Sequence, residues 1–290
     1  MHGSSPARQS VRSLLRGGFG LGYIFRRLRL SRNPHASPST GEPQIDFRCN
    51  ICGSSNSIAF AALQRDQPSC PQCGSTVRDR AMVHLLTSEL LGRSVALPDM
   101  PRPLDLRGIG LSDSTTYAEP LSRKFAYTNT HFDAEPMLDI ANVAPEHYAL
   151  YDFIIASDVF EHVAPPVSRA FRNAHRLLKP GAILIFTVPF SLEPDTVEHF
   201  PLLRDYRIYE TDAGWRLQNV TPDGQVQVHS DLVFHGGPGT TLEMRLFSRA
   251  ALEREFAAAG FSRVRIADEA FPDYGIEWPL PWSVPMVAYA

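Results

Sequence analysis

Two unbroken apolar runs dominate the chain. Residues 151–157 (YDFIIAS) and 182–188 (AILIFTV) lack polar alternation, the pattern of strands buried on both faces of a parallel sheet. Between them Pro166 opens a predicted helix, with Val167, Ala170, Phe171, Ala174, Leu177 and Leu178 on one stripe and Lys179-Pro180-Gly181 ending it. Met82, Leu85, Leu86, Leu90 and Leu91 recur at helical spacing and predict a second helix over 76–91. Weaker strand signals fall at 104–106, at 125–130 and in a short segment ending at Asp139. Later come a strand near 242–247, a helix over 249–259 capped by Gly260, a strand at 263–267 and a closing run at 285–289. Between 205 and 238 the texture alternates around Thr221-Pro222-Asp223-Gly224, which predicts a β-hairpin inside an insertion at about 191–247. Strands alternating with helices across short joints predict an α/β, doubly wound, mostly parallel sheet.

Composition divides this picture. Of 290 residues 43 % are apolar, enough for a substantial core, and no run approaches the ~18 apolar residues of a membrane-spanning helix. The net charge of −3 is an average of unlike parts. Residues 1–41 hold seven arginines and no acid, leaving 21 basic against 31 acidic groups in the rest. Residues 1–43 are therefore expected to be a basic, flexible leader and linker, whose stretch 8–32 offers weak contact to an anionic membrane surface. Residues 44–96 form a cysteine module plus helix, and 97–290 the sheet domain. A cytoplasmic protein is expected. Neither the acidic body nor the cysteine module, where Arg48 and Arg65 sit among Asp46 and Asp66, suggests a specific nucleic-acid partner.

All four cysteines fall into two Cys-x2-Cys pairs, Cys49 with Cys52 and Cys70 with Cys73, each followed by a glycine (Gly53, Gly74). Two such knuckles can set four thiolates around Zn²⁺. Four protein ligands leave no position for a catalytic water, so the expected ion is structural.

Ligands of open parallel sheets bind beyond the carboxyl ends of the strands. Those ends read Asp105-Leu106-Arg107-Gly108-Ile109-Gly110, then Asp133 or Glu135, then Asp139-Ile140, then Asp158-Val159-Phe160-Glu161-His162. This order, and above all residues 151–190 with their LKPG turn, resembles a class I S-adenosylmethionine-dependent methyltransferase of the small-molecule branch. A ribbon ending Cys73-Gly74-Ser75 with Arg78 and Arg80 looks like an N-terminal module carried by some bacterial members. The resemblance implies a seven-stranded methyltransferase-type sheet, with S-adenosylmethionine held near Asp105, Gly108 and Gly110, its ribose by Asp133 or Glu135, its adenine by Asp139 and Ile140, and its methyl group near Asp158. The acceptor implied is a small molecule, methylated on oxygen or nitrogen. Arg107 stands where the family has its first glycine, which puts Gly108 and Gly110 one place out of register. A non-catalytic adaptor with a degenerate cofactor site is the alternative.

Two acid–histidine pairs remain, Glu161-His162 and Glu198-His199. A helix starting at Asp158 would put Asp158, Glu161 and His162 on one side. His162, Glu161 and His199 are then candidate catalytic residues, His162 as a general base, unless the turn serves only to cap the helix. The turn is also similar to one in small-RNA 2′-O-methyltransferases, where an acid-x-x-Glu-His sequence and a later histidine bind a divalent ion. That resemblance implies an ion set of Glu161, His162 and His199, with Asp158 as a further candidate.

Overall fold

The computed structural model describes residues 42–101 and 103–290, so the leader and its expected membrane contact lie outside the described residues. Among these residues no helix is long and apolar enough to cross a membrane. The chain opens with an antiparallel hairpin, β1 (Gln44–Arg48) and β2 (Ser55–Ala59). The first helix, α1 (Val77–Leu91), starts at a capping box in which Thr76 and Asp79 satisfy each other's backbone N–H, and stops at Gly92 in the left-handed region. Its buried Val77, Ala81, Met82 and Leu86 share one core with Phe47, Ile51 and Leu63 of the cysteine module and with Phe125, Tyr127 and Phe153 of the sheet. Module, helix and sheet thus form one compact unit from Pro43 to Ala290.

The sheet proper begins with β3 (Leu104–Leu111), followed by α2 (Thr115–Ser122), β4 (Phe125–Thr130), β5 (Tyr151–Ser157), α3 (Ser168–Leu177) and β6 (Leu178–Thr187). The insertion supplies β7 (Phe190–Ser191), β8 (Val197–Glu198), β9 (Asp205–Thr211), β10 (Gly214–Val220), β11 (Val226–His229), β12 (Phe234–His235), β13 (Thr241–Leu242) and β14 (Arg245–Ser248). The chain ends in α4 (Arg249–Ala259), β15 (Arg263–Ile266) and β16 (Met286–Tyr289). The main sheet has the order β15-β16-β6-β5-β3-β4, with β4, β3, β5 and β6 parallel and β16 antiparallel to β6. Its second face is closed by α3 and α4, where Phe171, Phe186 and Phe256 pack edge to face or tilted, centroids 5.0 to 6.0 Å apart.

The expected strand count needs correction. The sheet has six strands among the described residues, not seven. The segment expected to end a strand at Asp139 makes only an isolated bridge, His131 to Met137. It carries exposed acids and Pro136, which has no N–H to donate, so neither alternation nor a full ladder supports a strand there. The hairpin expected around Thr221-Pro222-Asp223-Gly224 is present as β10–β11, and β9 extends it to a three-stranded meander, because the chain also turns at 212–213.

Candidate functional site

The four thiols converge. Cys49 Sγ lies 3.7 Å from Cys73 Sγ, Cys52 Sγ 3.7 Å from Cys70 Sγ, and all four lie within 4.8 Å of one another without a disulfide. Thiolates about 2.3 Å from a tetrahedral ion have an edge of about 3.8 Å, so the donor set fits. In each knuckle a glycine N–H returns to the first cysteine carbonyl, Gly53 to Cys49 and Gly74 to Cys70, both at 2.8 Å, with the glycines at φ 84° and 74°. Beside the thiols lies the fully buried guanidinium of Arg80, which donates to Ser69 Oγ and to the carbonyls of Ser75, Tyr274 and Gly275. This arginine ties the module to the C-terminal segment.

The carboxyl end of β3 is not where the glycines fall. Asp105 is exposed and second in the strand, at the end opposite to the ligand side, so its expected cofactor role is corrected. The β3–β4 pairing is irregular between Leu104 and Arg107, and Gly108 and Gly110 follow inside the strand. A Cβ on Gly108 would meet the Phe153 ring at 2.0 Å, and one on Gly110 the Tyr127 hydroxyl at 1.9 Å. Both glycines therefore make room for neighbouring side chains. The turn itself is Ser112-Asp113-Ser114, with Ser112 at φ 55°. The buried Asp113 carboxyl accepts from Tyr127 Oη, while its backbone N–H and C=O bond the Asn129 side chain. Burial pushes this carboxyl up to about 7, partly offset by the tyrosines. A folded-state value above the unfolded ~3.8 means the folded chain holds the extra proton, so stability falls as pH rises from about 4 to 7. Between pH 5 and pH 8 this amounts to about 2–3 kcal/mol. Asp113→Asn is expected to remove that part of the slope in urea unfolding; unchanged slopes would show that Asp113 is already ionised at pH 5.

Of the other expected cofactor residues, Asp133 is exposed in the bend after β4. Asp139 sits in a loop, its Oδ1 accepting the Ala141 N–H at 2.8 Å, and the buried Ile140 offers its carbonyl to Asn173. Asp158 does stand at the end of β5, at φ 56°. It is held by arginines from the cysteine module. Arg65 donates from both terminal nitrogens at 2.7 and 2.9 Å, Arg78 lies 3.4 Å away and also donates to Ser157 Oγ, and Thr187 Oγ1 donates at 2.8 Å. Although burial opposes ionisation, the two guanidinium groups hold this carboxyl well below the ordinary carboxylate range.

No helix begins at Asp158. Residues Phe160–His162 form a single 3-10 turn and α3 starts only at Ser168, so the helical face expected to carry Asp158, Glu161 and His162 does not form. Fully buried Arg245 fixes this turn, donating to the carbonyls of Phe160 and Val163 and to Glu198 Oε1. His162 Nδ1 donates to the Leu242 carbonyl at 2.9 Å, and its Nε2 faces His235 Nδ1 at 3.1 Å. Both nitrogens are thus engaged inside the protein, which speaks against the expected general-base role. Burial lowers the His162 pKa to about 4 and so keeps the ring neutral. The Glu161 carboxyl has no exposed surface, and neither of its oxygens has a hydrogen-bond donor. Burial and the neighbouring acids raise its pKa well above the ordinary range. The second expected pair separates: Glu198 takes Arg245, while His199 donates from Nε2 to Glu243 Oε1 at 2.9 Å. Glu243 also accepts from His235 Nε2 at 3.0 Å, and these histidines draw its carboxyl down to about 2. Beside them opens a cavity of about 320 Å³ lined by His199, Phe200, Val228, His229, Ser230 and Asp231.

Sequence reasoning passed over Arg65, Asp113, His235 and Glu243. Only Asp113 had a local signal, as the acid in a Ser-Asp-Ser turn just after a strand. The others reach their partners through contacts far apart in sequence.

No curated protein sequence matches the chain. Among solved structures it is similar to CurJ carbon methyltransferase at 14 % identity and TM-score 0.44, covering 74 % of this chain but only 55 % of that one. It is also similar to CalS10, an amino pentose methyltransferase from Micromonospora echinaspora, at 14 % identity and TM-score 0.41 over 74 % and 92 % of the two chains. The 1,6-didemethyltoxoflavin-N1-methyltransferase of Burkholderia thailandensis shows 14 % identity and TM-score 0.38 over 80 % and 94 %. The family model described as a methyltransferase domain matches residues 112–266, from the turn after β3 to the end of β15 and more than half of the chain. By that match the chain belongs to the methyltransferase-domain family.

Proposed function

We propose that this protein is an S-adenosylmethionine-dependent methyltransferase that methylates oxygen or nitrogen of a small-molecule acceptor, on a fold stapled by one structural Zn²⁺. The observation that carries the reading is the family match at residues 112–266, which spans the turn after β3 with Asp113, the loop with Asp139 and the end of β5 with Asp158. In this reading Asp139 and the exposed Asp133 offer acceptors to hydroxyl and amino groups of the cofactor, while Arg65 and Arg78 hold Asp158 in place. When bound, S-adenosylmethionine supplies an electrophilic methyl group on a sulfonium.

The chain's own residues have two tasks. One is to hold the acceptor in line with the methyl group, which supplies most of what such a displacement needs. The cavity beside His199 and Phe200 is the acceptor site in this reading. The other is to take the acceptor's proton. His199 replaces His162 in that role, because Glu243 accepts its Nε2–H and leaves the lone pair on Nδ1. In the sulfur scaffold, four thiolates fill the zinc coordination shell and leave that ion no part in the transfer.

A specific observation favours a second reading, a non-catalytic adaptor. Gly108 and Gly110 are packed against Phe153 and Tyr127, and Asp158 is neutralised by the cysteine module. Calorimetric titration with S-adenosylmethionine separates the two. Binding in the micromolar range is expected, weakened about tenfold in Asp139→Ala, the loss of one hydrogen bond. Absence of heat at millimolar cofactor would overturn the enzyme reading, and unaltered affinity in Asp139→Ala would move the adenine site elsewhere.

A further inference from the structure

We propose that Glu161, His162 and His235 form a binding site for a first-row divalent cation, separate from the four-cysteine cluster. The Leu242 carbonyl can only accept, so the hydrogen of neutral His162 is on Nδ1 and its Nε2 carries a lone pair. Glu243 accepts from His235 Nε2, so the lone pair of that ring is on Nδ1. These two lone pairs point at each other across 3.1 Å. Glu161 Oε1 lies 3.5 Å from the first and 3.8 Å from the second, fully buried and without a donor. A single proton between the rings would satisfy the histidines and leave both Glu161 oxygens without a partner. A divalent cation satisfies all three.

The geometry agrees. Ligands about 2.1 Å from a tetrahedral ion stand about 3.4 Å apart, against observed edges of 3.1, 3.5 and 3.8 Å. Two imidazoles and one carboxylate suit zinc or manganese and leave coordination positions open. The supporting shell is in place: Leu242 and Glu243 fix the two imidazoles through their other nitrogens, and Glu243 is itself held by His199. This ligand set differs from the one expected from the sequence. Asp158 is committed to Arg65 and Arg78, His199 to Glu243, and the third ligand comes from β12. On the methyl-transfer reading, the open positions would take an acceptor hydroxyl and make it more acidic.

The full chain is tested without cofactor or acceptor, so this site and the methyl-transfer reading can fail separately. After equilibration with Zn²⁺ and dialysis, two zinc ions per chain are expected in the wild type and one in His235→Ala. Titration with Mn²⁺, which disfavours thiolates, should show one site by the loss of the free-ion electron paramagnetic resonance signal. His235→Ala and the near-isosteric Glu161→Gln should weaken that site more than about 100-fold while keeping the first zinc. If His235→Ala fails to fold, Glu161→Gln carries the test. A wild type with one zinc and no Mn²⁺ binding at millimolar concentration overturns the proposal, as do variants that bind Mn²⁺ like the wild type.

Discussion

Cys70→Ser is expected to lose the zinc of the four-cysteine cluster and to lower the melting temperature by roughly 10 °C or more. Apart from the docking contacts of Arg65, Arg78 and Arg80, the cysteine module has little of its own to hold it. Its hairpin is two five-residue strands, marginal alone, and Phe47, Ile51 and Leu63 are its main contribution to the core. A structural zinc site in a small module contributes several kcal/mol or more of folding free energy. Removing it also strips Arg80 of the thiolate charge that offsets its burial. A loss of about 4 kcal/mol in a unit of this size corresponds to roughly 8–16 °C. Calorimetry with elemental analysis on the same sample checks both halves. A zinc-free Cys70→Ser protein that melts with the wild type would reduce the cluster to four ordinary buried thiols.

What was legible in the sequence follows the range of the forces involved. The run YDFIIAS is β5 residue for residue, and the helix expected over 249–259 is α4 with Gly260 as its left-handed cap. Both depend on local burial pattern and capping. The two Cys-x2-Cys pairs were readable because each knuckle is a local turn. Asp105 was misplaced because β3 runs on through two glycines, a continuation permitted by Phe153 and Tyr127 on other strands. His235 is 73 residues from His162, and only the β12–β13 pairing brings them together. Nothing in its own neighbourhood marks it. Likewise Arg65 reads as a polar residue in a loop until the module docks against β5.

That docking sets the second large effect. Asp158→Ala is expected to destabilise the protein by about 3–5 kcal/mol at pH 7, because it leaves Arg65 and Arg78 as largely buried charges without their carboxylate. The contribution has a defined pH window. The folded-state value of Asp158 is depressed, so above the unfolded pKa of ~3.8 the full effect is present, and it declines as the pH falls below about 4 and the carboxyl takes up a proton. The gap between wild type and Asp158→Ala in urea unfolding should therefore be widest near neutrality and narrow toward pH 3. Arg65→Ala should lose most of its own effect in the Asp158→Ala background, a coupling above about 1 kcal/mol in the double-mutant cycle. Additive effects would mean that the arginines act through Asp66 and the Ser283 carbonyl, to which they also donate, and not through Asp158. Coupling, by contrast, makes the module part of the site. Asp158 lies at the carboxyl end of β5, so loosening the module would release charge where the family's chemistry is expected, and cofactor affinity in Arg65→Ala should then change together with stability.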